Sequence, residues 1–369
     1  MKPGRPGNLL TPPGYAYFLS GLYGLFGVEM AEGARLWIAQ AALDAITCGV
    51  VYAAGALVLG NRRVGLVAAF LWAIYPQMAV YSARIAPEVL FTLLFLLVFL
   101  AWLALERRGG AARALLVGAL WGLLALTKEK AIFLPLVLLA RLAWVRRGEP
   151  GRFAREAGAF AVAAIVIVGP WVYRGYQLTG GFVPITLRSG RALTEGFRKE
   201  FGGADTYMID GFDYTARVGR PRTDTLSVLS EAERLAATRA LQTRESSRLR
   251  EILGEIGREP LSFARKTAVR FAAYWYWGQP RVVVGNALVN LPLLALGIAG
   301  IVMAWGTAPA SVATLLIVYM NALHAVTVVR MRYSLPVMPL VILFAAAAIA
   351  RFAGRRTRSR PESAEHNAS

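Results

Sequence analysis

Apolar stretches of about 18 or more residues, each long enough to cross a bilayer, recur along most of this chain. Nothing else in the sequence limits the fold so strongly. A backbone in hydrocarbon must satisfy its own hydrogen bonds, and runs of this length do so as helices. With 56% hydrophobic residues and a mean hydropathy of +0.48 over 369 residues, the chain has more apolar surface than a soluble fold could cover. Hydropathy predicts about nine spans, at 34–60, 63–80, 88–105, 112–127, 130–146, 157–175, 283–305, 310–328 and 335–352. The expected fold class is an all-α polytopic membrane protein.

The net charge of +19 has an obvious soluble reading, nucleic-acid binding. Its distribution argues against that. Arg62 and Arg63, Arg107, Arg108 and Arg113, Arg146, Arg147, Arg152 and Arg155, and Arg351 to Arg360 fall in segments that alternate in step with the spans. Short basic loops of this kind mark the cytoplasmic side. The other side then receives residues 1–33, the turns 81–88, 127–130 and 329–334, and the long segment 176–282. The expected location is the cell (inner or plasma) membrane, with the C-terminus cytoplasmic and the N-terminus outside. An exported N-terminus without a signal peptide is unusual, since Met1–Gly14 has no apolar core.

Four regions follow. They are an N-terminal membrane module over 1–175, an extracytoplasmic segment over 176–282, C-terminal spans over 283–352, and a disordered basic cytoplasmic tail over 353–369. Within the second region, Ser230-Glu231-Ala232-Glu233 has capping-box spacing and predicts a polar helix running towards Ile256. The stretch Leu261–Trp277 mixes cations with clustered aromatics, which suits an interfacial helix; a soluble amphipathic helix is the alternative. The lone Cys48 excludes an intramolecular disulfide, and two histidines, His324 and His366, are too few for a histidine-based metal cluster.

Ionisable residues at span edges are costly and therefore candidate functional groups. Arg84, Glu88, Lys128, Glu129, Lys130, Arg174, Arg330, Arg332 and Tyr333 all fall at one predicted level, on the outer side. A carboxylate and several cations converging there suit a lipid-linked phosphate. Each has a plainer role. Glu88 can cap its helix, Lys128 and Lys130 can snorkel with Glu129 as their partner, Arg330 and Arg332 can anchor a span edge, Asp44 can be hydrogen-bonded inside the bundle, and His324 can pack.

The local strings resemble the GT-C glycosyltransferases, in the branch of the dolichyl-phosphate-mannose–protein mannosyltransferases and the bacterial aminoarabinose transferases. They are Thr11-Pro12-Pro13-Gly14-Tyr15 with Leu25-Phe26-Gly27, Tyr75-Pro76 to Tyr81-Ser82, Pro87-Glu88-Val89-Leu90-Phe91, and Ala125-Leu126-Thr127-Lys128. Gly169-Pro170-Trp171 with Arg174 and Tyr176, Gly181-Phe182-Val183-Pro184, and Arg332-Tyr333-Ser334-Leu335-Pro336 follow in order.

The resemblance implies inverting transfer of a sugar from a polyprenyl-phosphate donor to an acceptor on the outer face. It makes Glu88 the candidate catalytic residue, through acceptor or metal contact, and Lys128, Arg332 and Tyr333 the donor-phosphate contacts. Arg84, Lys130, Arg174 and Arg330 are further phosphate or lipid contacts. A divalent metal is compatible with the family, although the sequence shows no ligand cluster for one. Two departures stand out. Ser334 replaces a second basic residue, and the chain as given opens after the family's first span and its acidic first-loop residue; Glu29 and Glu32 are not substitutes for the latter. Competing functions are a transporter or lipid flippase, which would place ionisable groups near mid-membrane, and a non-catalytic partner in envelope glycan assembly.

Overall fold

The computed structural model describes residues 9, 11–27, 34–187, 193–194, 196–197, 231–278 and 280–358. Glu29, Glu32, Ser230, His366 and the tail beyond Arg358 lie outside them. Among the described residues there is no strand, and the chain is an all-α polytopic membrane protein. Its helices are α1 (Gly14–Phe26), α2 (Ala34–Ala53), α3 (Arg62–Ala73), α4 (Pro76–Ser82), α5 (Glu88–Arg108), α6 (Ala111–Thr127) and α7 (Leu134–Val145). They continue as α8 (Pro150–Thr179), α9 (Glu231–Arg258), α10 (Pro260–Ala273), α11 (Pro280–Met303), α12 (Ala308–Val326) and α13 (Met338–Arg358).

Six segments have the length and apolarity of a span: Arg35–Val58, Glu88–Arg108, Pro150–Thr179, Val282–Met303, Ala308–Val326 and Met331–Ala353. A seventh is broken. The single run expected over 63–80 is α3 and α4, which bend by 58° at Tyr75-Pro76. Proline has no N–H to donate and pushes the preceding residue out of the helical region, and Tyr75 is extended at φ −70°, ψ 104°. The expected hairpin over 112–146 is the shorter pair α6 and α7, joined through a 3₁₀ turn at Glu129–Ala131. The 12 residues of α7 reach about 18 Å, well short of the roughly 30 Å hydrocarbon layer. At the C-terminus, α13 continues to Arg358, so residues 353–358 are helical where a disordered tail was expected. Arginine is a good helix former, and cations suit a helix C-terminus.

The apolar pattern of α5 runs all round the helix, as a core helix requires. Phe91, Phe95, Phe99 and Trp102 are fully buried, and 78% of its apolar window is buried inside the protein against 17% for α11. Helices α5 and α13 are therefore central, while α2, α8 and α11 turn most of their apolar surface outward. Close approach between helices relies on small residues, as is usual in membranes. A Cβ at Gly118 of α6 would strike the Phe160 carbonyl of α8, and one at Gly300 of α11 would strike the Phe344 carbonyl of α13.

The end of the bundle away from Glu88 is held by two carboxylates. Glu156 is fully buried and accepts from Gly110 N (2.8 Å), Arg146 Nε (3.1 Å) and Arg152 Nε (3.2 Å). Arg146, read from the sequence as a loop charge, is buried as well and also donates to the Leu105 and Glu106 carbonyls. Glu106 holds Arg141 through two bonds of 2.8 and 2.6 Å, and Arg141 continues to Ser311. These contacts lock the α5–α6 and α7–α8 connections together. Removing Glu156 leaves the Arg146 charge buried without its carboxylate. Glu156→Ala is expected to destabilise the bundle by about 3–5 kcal/mol, seen as a lower melting temperature in detergent; an unchanged melt would show that Arg146 finds another partner.

Candidate active site

Glu88 is the first residue of α5, where the helix dipole favours a carboxylate, yet it is only 2% exposed. Burying a carboxylate is costly without compensation. Lys128 supplies it: Nζ donates to Glu88 Oε1 at 2.9 Å. Arg332 Nε stands 4.0 Å from the same oxygen. The second oxygen, Glu88 Oε2, is buried and has no hydrogen-bond partner among the described residues.

Lys128 reaches Glu88 because α6 stops there. Its backbone is extended at φ −146°, ψ 130°, which carries the side chain across to α5 while its N–H still closes the helix on Leu124. The ammonium lies 5.4 Å from the Phe91 ring centroid and 5.8 Å from that of Tyr333. These are cation–π distances that help to hold a partly desolvated charge. Its partner is Glu88 on another helix, not the neighbouring Glu129 that the sequence suggested.

Arg332 and Tyr333 sit in a 3₁₀ turn, Met331–Tyr333, ahead of α13. The aromatic run after α10 fixes that turn. Trp277 O accepts from Met331 N at 2.6 Å, and Tyr274 OH donates to Tyr333 O at 2.6 Å. Burial pushes the Tyr274 phenol well above its ordinary pKa, so it stays a neutral donor. His324 stacks on Tyr333 with centroids 4.5 Å apart and meets Tyr274 at 5.7 Å. Its Nδ1 lies 2.7 Å from the Met320 carbonyl, which can only accept, so that nitrogen carries the proton. Packing is thus what His324 does, as expected, but it packs directly behind the site. Ser334 is fully buried and closes the turn through Oγ to Met331 O (2.7 Å). A basic side chain there would point into the core.

The first loop closes the other side. A Cβ on Gly14 would lie 2.7 Å from Leu126 O, so only glycine lets the start of α1 rest on the end of α6. Tyr15 OH then donates to Gln40 Oε1 at 3.2 Å. Burial raises the Tyr15 phenol pKa, and the nearby Glu88 charge adds to the effect. Gln40, fully buried in α2, donates through Nε2 to the carbonyls of Ser82 and Arg84, fixing the turn that leads into Glu88. Asp44, one turn further on, accepts from Trp72 Nε1 (3.0 Å) and Ser82 Oγ (3.4 Å), the bundle-interior role expected of it.

Glu88, Lys128, Arg332 and Tyr333 are therefore brought together. Lys130 and Arg330 stand close enough to act electrostatically on Tyr333. Arg84 and Arg174 are placed differently: each guanidinium lies 5.4 Å from a ring on its own stretch of chain, Tyr81 and Trp171, and neither makes an ion pair among the described residues. Sequence reasoning passed over Gln40 because it is neutral, and over Tyr15 because its string served only as a family motif. Among the described residues no group of three histidine, cysteine or acidic side chains could hold a metal ion.

Residues 11–173 match the sequence model of the family described as dolichyl-phosphate-mannose-protein mannosyltransferase. No curated protein matches the chain. The matched segment holds Gly14, Tyr15, Gln40, Glu88 and Lys128, whereas Arg332 and Tyr333 lie beyond it. The family implies a membrane glycosyltransferase. On that match and this helical architecture, the N-terminal part of this membrane protein, residues 11–173, is similar to the GT-C, mannosyltransferase-like enzymes.

Proposed function

We propose that this protein transfers a sugar from a polyprenyl-phosphate donor to an acceptor at the extracytoplasmic face of the cell membrane, with inversion at the anomeric carbon. The observation that carries this is the buried Glu88 carboxylate facing two cations at one end of the bundle. Lys128 uses one of its three N–H donors on Glu88, and the planar guanidinium of Arg332 suits phosphate oxygens. In this scheme the donor phosphate settles on Lys128 and Arg332 with the Tyr333 ring beside it. The acceptor hydroxyl hydrogen-bonds to the unpartnered Glu88 Oε2.

As the acceptor oxygen bonds to the anomeric carbon, the carbon–oxygen bond to phosphate breaks and its electron pair leaves with the polyprenyl phosphate. The hydroxyl proton passes to Glu88. Negative charge grows on the leaving phosphate, which is where a fixed ammonium gains most. Lys130 and Arg330 add to the positive field, and Arg84 and Arg174 contact lipid headgroups at the rim. In this orientation the C-terminal arginines of α13 are cytoplasmic. The polar groups gather at one end rather than at mid-membrane, which favours transfer chemistry over transport.

The test uses the full chain in vesicles with labelled polyprenyl-phosphate sugars and an envelope acceptor fraction. Glu88→Gln and Lys128→Ala are each expected to lower transfer by about 100-fold or more; wild-type rates in both would contradict the assignment. Arg332→Ala is expected to raise KM for the donor more than it lowers kcat, because the phosphate is already charged in the ground state. An unchanged KM would remove Arg332 from the phosphate site. A donor with a β-linked sugar should give an α-linked product by NMR, and a β-linked product would exclude inversion.

A further inference from the structure

Outside the site just described, the interface of α10 with α12 buries a charge that no described carboxylate neutralises. Arg270 is 3% exposed, and its one hydrogen bond among the described residues runs from Nη1 to Ala325 O at 3.3 Å, near the C-terminal end of α12. Its Nη2 is buried without a partner, and among the described residues no carboxylate pairs with it. Burial lowers the pKa of the guanidinium, the direction expected where no anion offsets desolvation.

Two further polar groups within a helical turn share the condition. Asn321 gives its Nδ2 to Phe271 O at 3.1 Å, but its Oδ1 is buried and unpartnered. Thr267 Oγ1, one turn before Arg270 on α10, is buried and unpartnered too. Native interiors rarely leave such groups unmet, and a buried charge is the costliest of them. Capping of α12 accounts for Nη1 alone. Ordered water could satisfy Asn321 and Thr267 but would not neutralise Arg270.

We propose that Arg270, Asn321 and Thr267 form a binding site for an oxyanion that also carries a hydroxyl group, such as an acidic sugar or a sugar phosphate. The guanidinium fork matches the planar oxygens of a carboxylate or phosphate. The Asn321 Oδ1 acceptor requires a donor, which a bare anion lacks and a neighbouring hydroxyl supplies. Helix α10 carries Arg265, Lys266 and Arg270 and no acidic residue, so its field draws anions in. Arg270 precedes Tyr274 by one helical turn, and the Tyr274 ring meets that of Tyr333, the ring beside Lys128 and Arg332, through His324. The site is therefore separate from the donor-phosphate contacts, and it rests on burial and charge alone, not on the transfer reaction.

The experiment is thermal unfolding of the full-length protein in detergent, followed by tryptophan fluorescence. Inorganic phosphate and glucuronate are titrated against chloride at matched ionic strength, with glucose as the uncharged control. A Lys128→Ala background removes the donor-phosphate contact from the response. A saturable rise in melting temperature with glucuronate or phosphate, absent with glucose, is expected. Arg270→Met should weaken the apparent affinity roughly tenfold or more. A stronger response to glucuronate identifies an acidic sugar, and a stronger response to phosphate identifies a phosphate-bearing ligand. No rise above chloride, or a rise that Arg270→Met leaves intact, would overturn the proposal. So would a rise present in the wild type and lost with Lys128→Ala. Should Arg270→Met not fold, Asn321→Leu and Thr267→Val carry the test, and an unchanged response in both would overturn it equally.

Discussion

The contact between Glu88 and Lys128 depends on several separate parts of the chain. It requires α5 to begin where Pro87 ends a turn, and Gln40 to hold that turn by two backbone carbonyls. It requires α6 to stop at Thr127 and Gly14 to lie against that stop. A buried ion pair of this kind contributes little net stability, because desolvation offsets most of the Coulomb attraction. Its value is in placement: a carboxylate and an ammonium are held 2.9 Å apart at the end of a hydrophobic bundle, with one carboxylate oxygen still unpartnered.

The two ends of the molecule use the same chemistry differently. At the far end, both oxygens of Glu156 are engaged, and the Arg146 guanidinium reaches two backbone carbonyls as well. A saturated cluster of that kind fixes loops. At the Glu88 end the cations outnumber the carboxylate, and aromatic faces surround them. Tyr274, Trp277 and His324 hold the Arg332 turn from behind, so the guanidinium is carried by packed rings and backbone hydrogen bonds instead of a free loop.

Much of this was legible in the sequence, for identifiable reasons. Hydropathy shows where helices must be, because a lipid-exposed backbone has no other way to meet its hydrogen bonds. Loop arginines and edge charges put Glu88, Lys128 and Arg332 at one level. Pairwise partners were not legible. Lys128 sits beside Glu129 in the chain, and only the extended backbone at Lys128 turns it to Glu88. Arg146 and Arg152 read as loop charges because Glu156, just before the span expected over 157–175, gives no sign in the sequence of being buried against them. Gln40 and Tyr15 act through hydrogen bonds across helices, which leave no periodic trace. Arg270 read as one cation among several in an aromatic stretch, and its isolation emerges only once α12 is packed against it.

The most direct measurement of the central claim is a cryo-electron microscopy structure of the full-length protein with polyprenyl phosphate bound. The account predicts phosphate density within hydrogen-bonding distance of Lys128 Nζ and the Arg332 guanidinium, with the Tyr333 ring alongside. Phosphate density elsewhere, with the Glu88–Lys128 contact unchanged and no ligand against it, would contradict the account.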